Sequence, residues 1–302
     1  MLTLVFPGQG SQYSGMGKDL AQNFPIAGQL FEEADDVLGF KLSQLCFSGS
    51  EEDLKLTANT QPAILAVSIA TLQVLRQEME LKPAYAAGHS LGEYSALVAA
   101  GVLSFADALA TVRQRGIFMQ EAVPVGVGAM AAILGLEGEA LEQLCHAAAQ
   151  GEVVAPANYN SPGQVVIAGH ATAVERAIDL ATERGAKRAL KLPVSAPFHC
   201  ALMAPAAQRL EQALAAVEVT PFSFPVITNV EATCCDRPER VKPLLVKQVC
   251  APVRWDASIE RCAALGVERY LEIGPGKVLT GLIKRIQRVA VLDQVGDVES
   301  LQ

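Results

Sequence analysis

A serine between two glycines is the residue best placed for covalent chemistry in this chain. Residues 88–92 read Gly-His-Ser-Leu-Gly, a G-x-S-x-G motif, after an apolar stretch and before a helical pattern. In a strand-to-helix turn this motif exposes the serine oxygen, and the start of the helix directs free N–H groups towards charge on a reacting oxygen. The sequence therefore predicts that Ser90 is a nucleophile; a structural turn with a bystander serine is the alternative.

A serine nucleophile needs a base, and the chain has four histidines. His89 lies in the same turn as Ser90, where neighbouring side chains diverge, so we expect it to support the turn. His146 falls on a polar helix face, and His170 follows a strand of the middle segment. His199 lies in a loop bounded by prolines, and by elimination we predict that it is the general base.

The sequence pattern leaves open which group orients the base. Hydrolases with this motif place an acidic residue between the serine and the histidine. Here the acids between Ser90 and His199 fall mostly in polar helices, and none stands out in a loop after a strand. A backbone carbonyl can also orient a histidine, because it fixes the tautomer without adding charge.

Composition narrows the class of protein that carries this chemistry. The 302 residues suit one large domain, or a large domain with an insertion. A net charge of −8 argues against nucleic-acid binding, and no apolar run approaches the length of a membrane span. The first residues do not resemble a signal peptide, and the seven cysteines are scattered and odd in number. We therefore expect a cytoplasmic protein with reduced thiols and no metal site.

The elements around these residues alternate between strand and helix, which is typical of an α/β protein with a mostly parallel sheet. The middle segment changes to the order β-α-β-β-α-β, the ferredoxin-like unit. We predict a catalytic domain over residues 1–124 and 195–302, with a ferredoxin-like subdomain inserted over residues 125–194. The predicted strands are Leu2–Phe6, Pro83–Ala87, Gly128–Leu134, Val153–Tyr159, Gln164–Gly169, Lys187–Leu192, Phe224–Asn229, Val267–Ile273 and Val289–Leu292. The predicted helices are Ala27–Leu38, Pro62–Met79, Glu93–Ala100, Phe105–Ala122, Glu139–Ala149, Ala173–Arg184, Pro205–Val217, Pro238–Val249, Asp256–Leu265 and Val278–Ile286.

Several short motifs occur in an order that resembles one enzyme family over essentially the whole chain. The motifs are Phe6–Gln12, Gly88–Ala96, Arg113–Gly116, Asn160–Gly163, Phe198–His199, Gln248–Trp255 and Glu272–Gly276. Together they resemble the malonyl-CoA:acyl carrier protein transacylases. The resemblance implies an α/β-hydrolase-like domain with a ferredoxin-like insertion. It also implies an acyltransferase that moves a malonyl group from malonyl-CoA to the phosphopantetheine thiol of acyl carrier protein, in fatty-acid or polyketide synthesis.

The resemblance also implies roles for residues of the catalytic centre. Ser90 matches the serine that becomes acylated, and His199 matches its base. Gln248 matches the residue whose main-chain carbonyl orients the histidine, although alone it would be an ordinary residue at a helix end. Gln9 and Leu91 match the two N–H donors of the oxyanion hole, an arrangement that also follows from the general geometry of this turn.

Four further residues are expected around the acyl group. Arg115 matches the arginine that binds the free carboxylate of the substrate; without the resemblance it would be interpreted as a solvated helix residue. Phe198 precedes the base, and in similar acyltransferases a phenylalanine here accompanies selection of malonyl over methylmalonyl units, with Met119 the next candidate. Asn160 is placed near Ser90 by the resemblance alone, and its alternative is a turn residue between two strands.

Two other functions fit the same residues: a serine thioesterase or hydrolase, and a non-catalytic carrier-protein-binding subunit of a synthase assembly. The resemblance implies malonyl-CoA and acyl carrier protein as partners, and neither a metal nor a redox cofactor. We expect a monomer that binds neither membrane nor nucleic acid. Because acyl carrier proteins are acidic, we expect docking on basic residues, with Lys187, Arg188, Lys191, Arg254 and Arg285 as candidates.

Overall fold

The computed structural model describes residues 1–194 and 196–301. The strands are β1 (Leu2–Phe6), β2 (Pro83–Gly88), β3 (Gly128–Leu134), β4 (Val154–Ser161), β5 (Gln164–His170), β6 (Arg188–Lys191), β7 (Val226–Ile227), β8 (Cys234–Cys235), β9 (Val253–Arg254), β10 (Arg269–Ile273) and β11 (Val291–Val295). The α-helices are α1 (Lys18–Asn23), α2 (Pro25–Leu38), α3 (Leu42–Ser48), α4 (Glu51–Lys55), α5 (Thr57–Glu78), α6 (Gly92–Ala99), α7 (Phe105–Glu121), α8 (Gly138–Ala149), α9 (Ala171–Glu183), α10 (Ala204–Ala215), α11 (Pro238–Cys250), α12 (Trp255–Ala264) and α13 (Val278–Ile286).

The larger sheet has six strands in the order β11-β10-β1-β2-β7-β8. Its neighbouring strands run parallel except for β7 and β8. Parallel strands end at the same edge of a sheet, so the loops after β1 and β2 lie side by side, with Phe6 paired to Gly88. The predicted α/β fold class with a mostly parallel sheet is confirmed.

The smaller sheet has five strands in the order β6-β3-β5-β4-β9. Residues 128–191 follow the predicted ferredoxin-like order, and their strands pair antiparallel. The fifth strand, β9, comes from the C-terminal part of the chain and is not predicted. It pairs Val253 and Arg254 in parallel with Asn158 and Tyr159 of β4. A strand of two residues is too short to show alternation, although it satisfies backbone groups at the edge of β4.

Helix α5 runs through the core of the molecule. It begins at Thr57, five residues before the predicted start at Pro62, so this proline lies inside the helix and not at its first position. By length and hydropathy α5 is the one helix of residues 1–194 and 196–301 that could cross a membrane, yet 83% of its apolar window is buried inside the molecule. It is a core helix here, and the expectation of no membrane partner stays a prediction.

The remaining predicted elements agree with the structure to within two residues at each end, except at the C-terminal end of β11. The predicted strand over residues 224–229 is only the two-residue β7, and β11 runs on to Val295. Helices α1, α3 and α4 are missing from the prediction because five to seven residues are too few for a periodic pattern. Ser195 and Gln302, which bound the predicted second stretch of the catalytic domain, lie outside the described residues.

Candidate active site

The turn between β2 and α6 holds Ser90 in a strained backbone conformation. Its φ angle of 53° lies in the left-handed region, which residues other than glycine rarely adopt. The two motif glycines permit the turn: a Cβ at Gly88 would overlap the Gly92 carbonyl oxygen, and a Cβ at Gly92 would overlap the Phe6 carbonyl oxygen. The turn therefore presents the Ser90 hydroxyl at the end of the strand, as the motif predicts.

His199 is within hydrogen-bond distance of Ser90 on one side and of a backbone carbonyl on the other. Its Nε2 lies 2.8 Å from Ser90 Oγ, and its Nδ1 lies 2.8 Å from the main-chain oxygen of Gln248. Because a carbonyl oxygen only accepts, Nδ1 carries the proton and Nε2 is free to accept one from the serine. The group that orients the base, left open by the sequence pattern, is this carbonyl and not a carboxylate.

The surroundings keep His199 neutral. Its side chain is buried, with 4% of the residue exposed. The pKa of His199 is lowered to about 3, first by burial and then by the positive charge of Arg115, while the hydrogen bond to the Gln248 carbonyl opposes both effects. At neutral pH the imidazole is therefore in the form that accepts a proton.

Arg115 is a buried cation whose direct partners in the described part of the chain are all neutral. It lies on α7 with 2% of its surface exposed. Its Nη1 donates to Gln61 Oε1 at 2.7 Å, and its Nη2 donates to Ser90 Oγ at 3.1 Å and to Gln248 Oε1 at 2.9 Å. Its guanidinium carbon lies 5.7 Å from the ring centre of Tyr94. A buried guanidinium without a carboxylate partner is suited to bind an anion from outside the protein.

Gln9 and Leu91 line the same cavity as Ser90. Gln9 follows β1 and Leu91 follows Ser90, and the parallel pairing of β1 and β2 brings the two loops together. Among residues 1–194 and 196–301, neither backbone N–H has a hydrogen-bond acceptor, whereas the Gln9 side chain lies 3.5 Å from Thr57 Oγ1. Two free donors next to a nucleophile are the arrangement that stabilises an oxyanion.

A cavity of about 310 Å³ lies between the two sheets, with Ser90 in its wall. Met119 of α7 and Phe198 of the loop between β6 and α10, both mostly buried, line it, together with Met130 and Val166 of the small sheet. The predicted pocket residues Met119 and Phe198 therefore both face the space beside the nucleophile. The apolar walls fit a short acyl chain, and polar groups cluster at the serine end.

Asn160 also lines this cavity, but it lies in β4 and not in a turn, so the turn interpretation is wrong. Its side-chain oxygen lies 2.8 Å from His89 Nε2. The His89 ring in turn lies 5.8 Å from the Trp255 ring, centre to centre, and burial lowers the pKa of His89. His89 thus links the serine turn to the small sheet and supports the turn, in agreement with the sequence-based expectation.

Three functional-site residues are missed by sequence reasoning: Gln61, Glu93 and Asn229. Asn229 accepts a hydrogen bond from the Ser90 N–H at 2.7 Å and donates to the Gly88 carbonyl at 2.7 Å. Glu93 Oε2 accepts hydrogen bonds from the Asn229 N–H at 3.0 Å and from Gln248 Nε2 at 2.7 Å. Glu93 and Gln61 could have been found from the sequence, because each is a polar residue within an otherwise apolar helix. No sequence feature marks Asn229.

The basic residues proposed for docking have different surroundings. Lys191 forms an ion pair of 2.7 Å with Glu175, both exposed. Arg285, on α13, donates a hydrogen bond to the side chain of Gln164, which lines the cavity. Arg285 therefore contacts a residue that lines the cavity.

Known proteins with similar sequences belong to the family that the motifs of this chain resemble. The chain matches the model of the acyl transferase domain over residues 3–298. It is 51% identical over 302 residues to the malonyl CoA-acyl carrier protein transacylase of Bacillus subtilis, covering 100% of this chain and 95% of that protein. The transacylase of the same name from Escherichia coli is 54% identical over 282 residues, covering 93% of this chain and 91% of that protein.

Solved structures agree with the sequence comparison. An acyl carrier protein S-malonyltransferase from Vibrio cholerae superposes with a TM-score of 0.97 at 54% identity, covering 99% of this chain and 98% of that one. A malonyl-transacylase in complex with a type II PKS acyl-carrier protein has a TM-score of 0.97 at 51% identity, with coverage of 99% and 97%. The chain belongs to the malonyl CoA-acyl carrier protein transacylases, as its motifs predicted.

Proposed function

We propose that this protein transfers a malonyl group from malonyl-CoA to the phosphopantetheine thiol of acyl carrier protein through a malonyl ester on Ser90. The observation that carries the proposal is the position of Arg115, whose Nη2 lies 3.1 Å from Ser90 Oγ. A serine and a histidine alone would serve many acyl groups. A buried guanidinium with neutral partners favours an acyl group that carries its own carboxylate.

In the first half of the reaction, Ser90 Oγ attacks the thioester carbonyl of malonyl-CoA while His199 Nε2 takes the hydroxyl proton. The N–H groups of Gln9 and Leu91 hold the negative charge that develops on the carbonyl oxygen. The carbon–sulfur bond then breaks, and His199 returns its proton to the departing coenzyme A sulfur. The Gln248 carbonyl holds the imidazole in the tautomer that this step requires.

In the second half, His199 removes the proton from the phosphopantetheine thiol of the carrier, and the sulfur attacks the malonyl ester. The carbon–oxygen bond to Ser90 breaks, and the serine oxygen recovers the proton from His199. Each half moves one acyl group and one proton, so the transfer balances with no redox or metal cofactor as a reactant. Accordingly, we propose that the enzyme works without a cofactor.

Arg115 would bind the malonyl carboxylate through its two terminal nitrogens during both halves. Phe198 and Met119 line the same cavity and would limit the space for a branch on the acyl chain. Exclusion of one methyl group discriminates by about 1–3 kcal/mol. We therefore propose a preference for malonyl over methylmalonyl units, with Asn160 fixing the wall of the cavity through His89.

We further propose that residues 1–124 and 195–302 form the catalytic domain and residues 125–194 the inserted subdomain. The position of the cavity between the two sheets supports this division, because clefts between domains are common substrate sites. The carrier would dock at the cavity edge near Arg285, aided by Lys187, Arg188, Lys191 and Arg254. We propose a cytoplasmic monomer that does not bind nucleic acid or membrane.

The proposed function is tested by mixing the enzyme with malonyl-CoA and reading the acylated residue by mass spectrometry. We expect one malonyl group on Ser90 in the wild type and none in Ser90→Ala. Addition of acyl carrier protein bearing phosphopantetheine should then move the malonyl group to its thiol. Unlabelled wild-type enzyme would favour a non-catalytic subunit, and rapid release of free malonate without the carrier would favour a hydrolase.

A further inference from the structure

The side chain of Gln248 joins three parts of the active site, independently of its main-chain carbonyl. Its Oε1 accepts a hydrogen bond from Arg115 Nη2 at 2.9 Å. Its Nε2 donates to Glu93 Oε2 at 2.7 Å and to the Ser90 main-chain oxygen at 3.0 Å. Gln248 is fully buried, so no water replaces a lost partner at either end of the amide.

The contacts of this amide fix its orientation. If its oxygen and nitrogen were exchanged, the amide NH₂ would face the Arg115 guanidinium, donor against donor. The amide oxygen would then face the Glu93 carboxylate, acceptor against acceptor. Only one orientation therefore satisfies both charged groups, with the cation at one end of the amide and the anion at the other.

Glu93, the second residue of α6, contacts the nitrogen end of the Gln248 amide. It is 2% exposed, and the same Oε2 that binds Gln248 also accepts the Asn229 N–H at 3.0 Å. Burial raises the pKa of Glu93 to about 7, while these hydrogen bonds and the charge of Arg115 oppose the rise. Glu93 does not line the cavity, so it acts on the substrate only through its neighbours.

We propose that Glu93 is a positioning residue for malonyl recognition: its carboxylate orients the Gln248 amide, whose oxygen holds Arg115 beside Ser90. This role rests on the proposed function, because Arg115 matters most for a substrate with a free carboxylate. Loss of the Glu93 oxygen frees the amide to rotate, and Arg115 loses the acceptor that fixes one of its terminal nitrogens. An acetyl group needs no guanidinium, so the defect falls mainly on malonyl.

The test is the ratio of kcat/KM for malonyl-CoA to that for acetyl-CoA in acylation of Ser90. Glu93→Met removes the acceptor at similar volume, and we expect the ratio to fall about tenfold, the worth of one hydrogen bond to a charged group. Glu93→Gln keeps an oxygen at the same reach and should restore most of the ratio. Glu93→Asp withdraws the carboxylate by one methylene and should give an intermediate ratio.

A second set of variants tests whether Glu93 acts through Gln248. Gln248→Met removes the amide but keeps the main-chain carbonyl that contacts His199. We expect Glu93→Met to lower the ratio no further in that background. The matched control is Glu272→Gln, which alters another buried carboxylate, on β10, that accepts N–H groups from the start of α13. This variant should leave the ratio unchanged.

Failure of this inference and failure of the proposed function give different results. If wild-type enzyme is not acylated by malonyl-CoA, the proposed function is wrong. If wild type is acylated but Glu93→Met and Glu93→Asp both keep the wild-type ratio, the proposed role of Glu93 is wrong. Additive losses in the double variant also contradict it. If Glu93→Met does not fold, the comparison of Glu93→Asp with Glu93→Gln decides.

Discussion

Two units of the large sheet, β2–α6 and β10–α13, each consist of a strand, a turn that contains glycine and a helix, and they differ at the start of the helix. In β10–α13 the buried Glu272 accepts the N–H groups of Leu279 and Thr280 at 3.0 and 2.7 Å. In β2–α6 the buried glutamate, Glu93, binds groups from other segments, and the Leu91 N–H is left without an acceptor in the described part of the chain. The β10–α13 unit provides an acceptor for N–H groups at the start of its helix, whereas the β2–α6 unit leaves the Leu91 N–H without one in the described part of the chain.

Backbone strain separates the same two turns. In β10–α13 the positive φ angles fall on Gly274 and Gly276, at 131° and 75°, where glycine adopts them at little cost. In β2–α6 the positive φ falls on Ser90 itself, and the glycines Gly88 and Gly92 allow close backbone approach. A positive φ on a residue other than glycine therefore sets the Ser90 turn apart from the β10–α13 turn.

Removal of the reactive side chains of Ser90 and His199 should have the largest effect on acylation. Ser90→Ala should form no malonyl-enzyme, because no other positioned oxygen replaces the serine. His199→Ala should lower acylation about a thousandfold or more, since a serine is a weak nucleophile without its base. Intact mass after rapid mixing with malonyl-CoA measures both. Malonyl label on Ser90→Ala would overturn the assignment of the nucleophile.

Arg115→Ala should give the next largest effect, and only for one class of substrate. Removing one partner of a buried charge pair costs about 3–5 kcal/mol, so malonyl acylation should fall by a hundredfold or more, whereas acetyl acylation should keep far more of its rate. Arg113→Ala is the matched control, since Arg113 lies two residues away, donates to Asn59 and lies over the Phe40 ring. Equal losses for the two thioesters would mean that Arg115 is structural.

Charge reversal at the cavity edge should have a smaller effect, confined to the carrier. Arg285→Glu and the double reversal of Lys187 and Arg188 should each raise the KM for acyl carrier protein several-fold and weaken its salt dependence. Acylation by malonyl-CoA in the absence of carrier serves as the internal control. A carrier KM that stays constant in the double reversal would remove the Lys187–Arg188 surface from the docking site.

A substitution in the β10–α13 unit should lower the stability of the protein and leave acylation unchanged. Glu272→Gln weakens the carboxylate acceptor at the start of α13, and we expect a lower free energy of unfolding by about 1–3 kcal/mol with the malonyl-to-acetyl ratio intact. Chemical denaturation at fixed pH measures the first quantity. A changed malonyl-to-acetyl ratio with unchanged stability would contradict a purely structural role for the β10–α13 unit.

The smallest expected change is in the pH dependence of acylation. Because the pKa of His199 is about 3 in the folded protein, acylation should not fall as pH drops through 6.5, where an ordinary histidine becomes charged. The unfolded chain does take up that proton, so His199 contributes a loss of stability as pH falls from 6.5 towards 3. Acylation rates at pH 5 and 7 test whether His199 stays neutral. The same rates are measured in Glu93→Gln, which lacks the titration of Glu93. An acylation rate that halves near pH 6.5 in both wild type and Glu93→Gln would contradict a neutral His199.

Local features of the chain were predictable, and contacts between distant segments were not. The glycine spacing around Ser90 dictates the turn, and the alternation of strands and helices indicates both sheets. The contacts of Asn229 with Ser90 and of Gln248 with Glu93 join residues more than a hundred positions apart. No periodic pattern encodes such pairs, and the same holds for β9, whose two residues complete the small sheet.

We propose that the acyl group on Ser90 reacts with a thiol and not with water. Isolated malonyl-enzyme, mixed with acyl carrier protein that carries or lacks phosphopantetheine, tests it most directly. We predict rapid transfer of malonyl to the phosphopantetheine thiol, no transfer to the carrier without it, and slow release of free malonate in both mixtures. Release of malonate at one rate in both mixtures, with no malonyl on the carrier, would contradict the account.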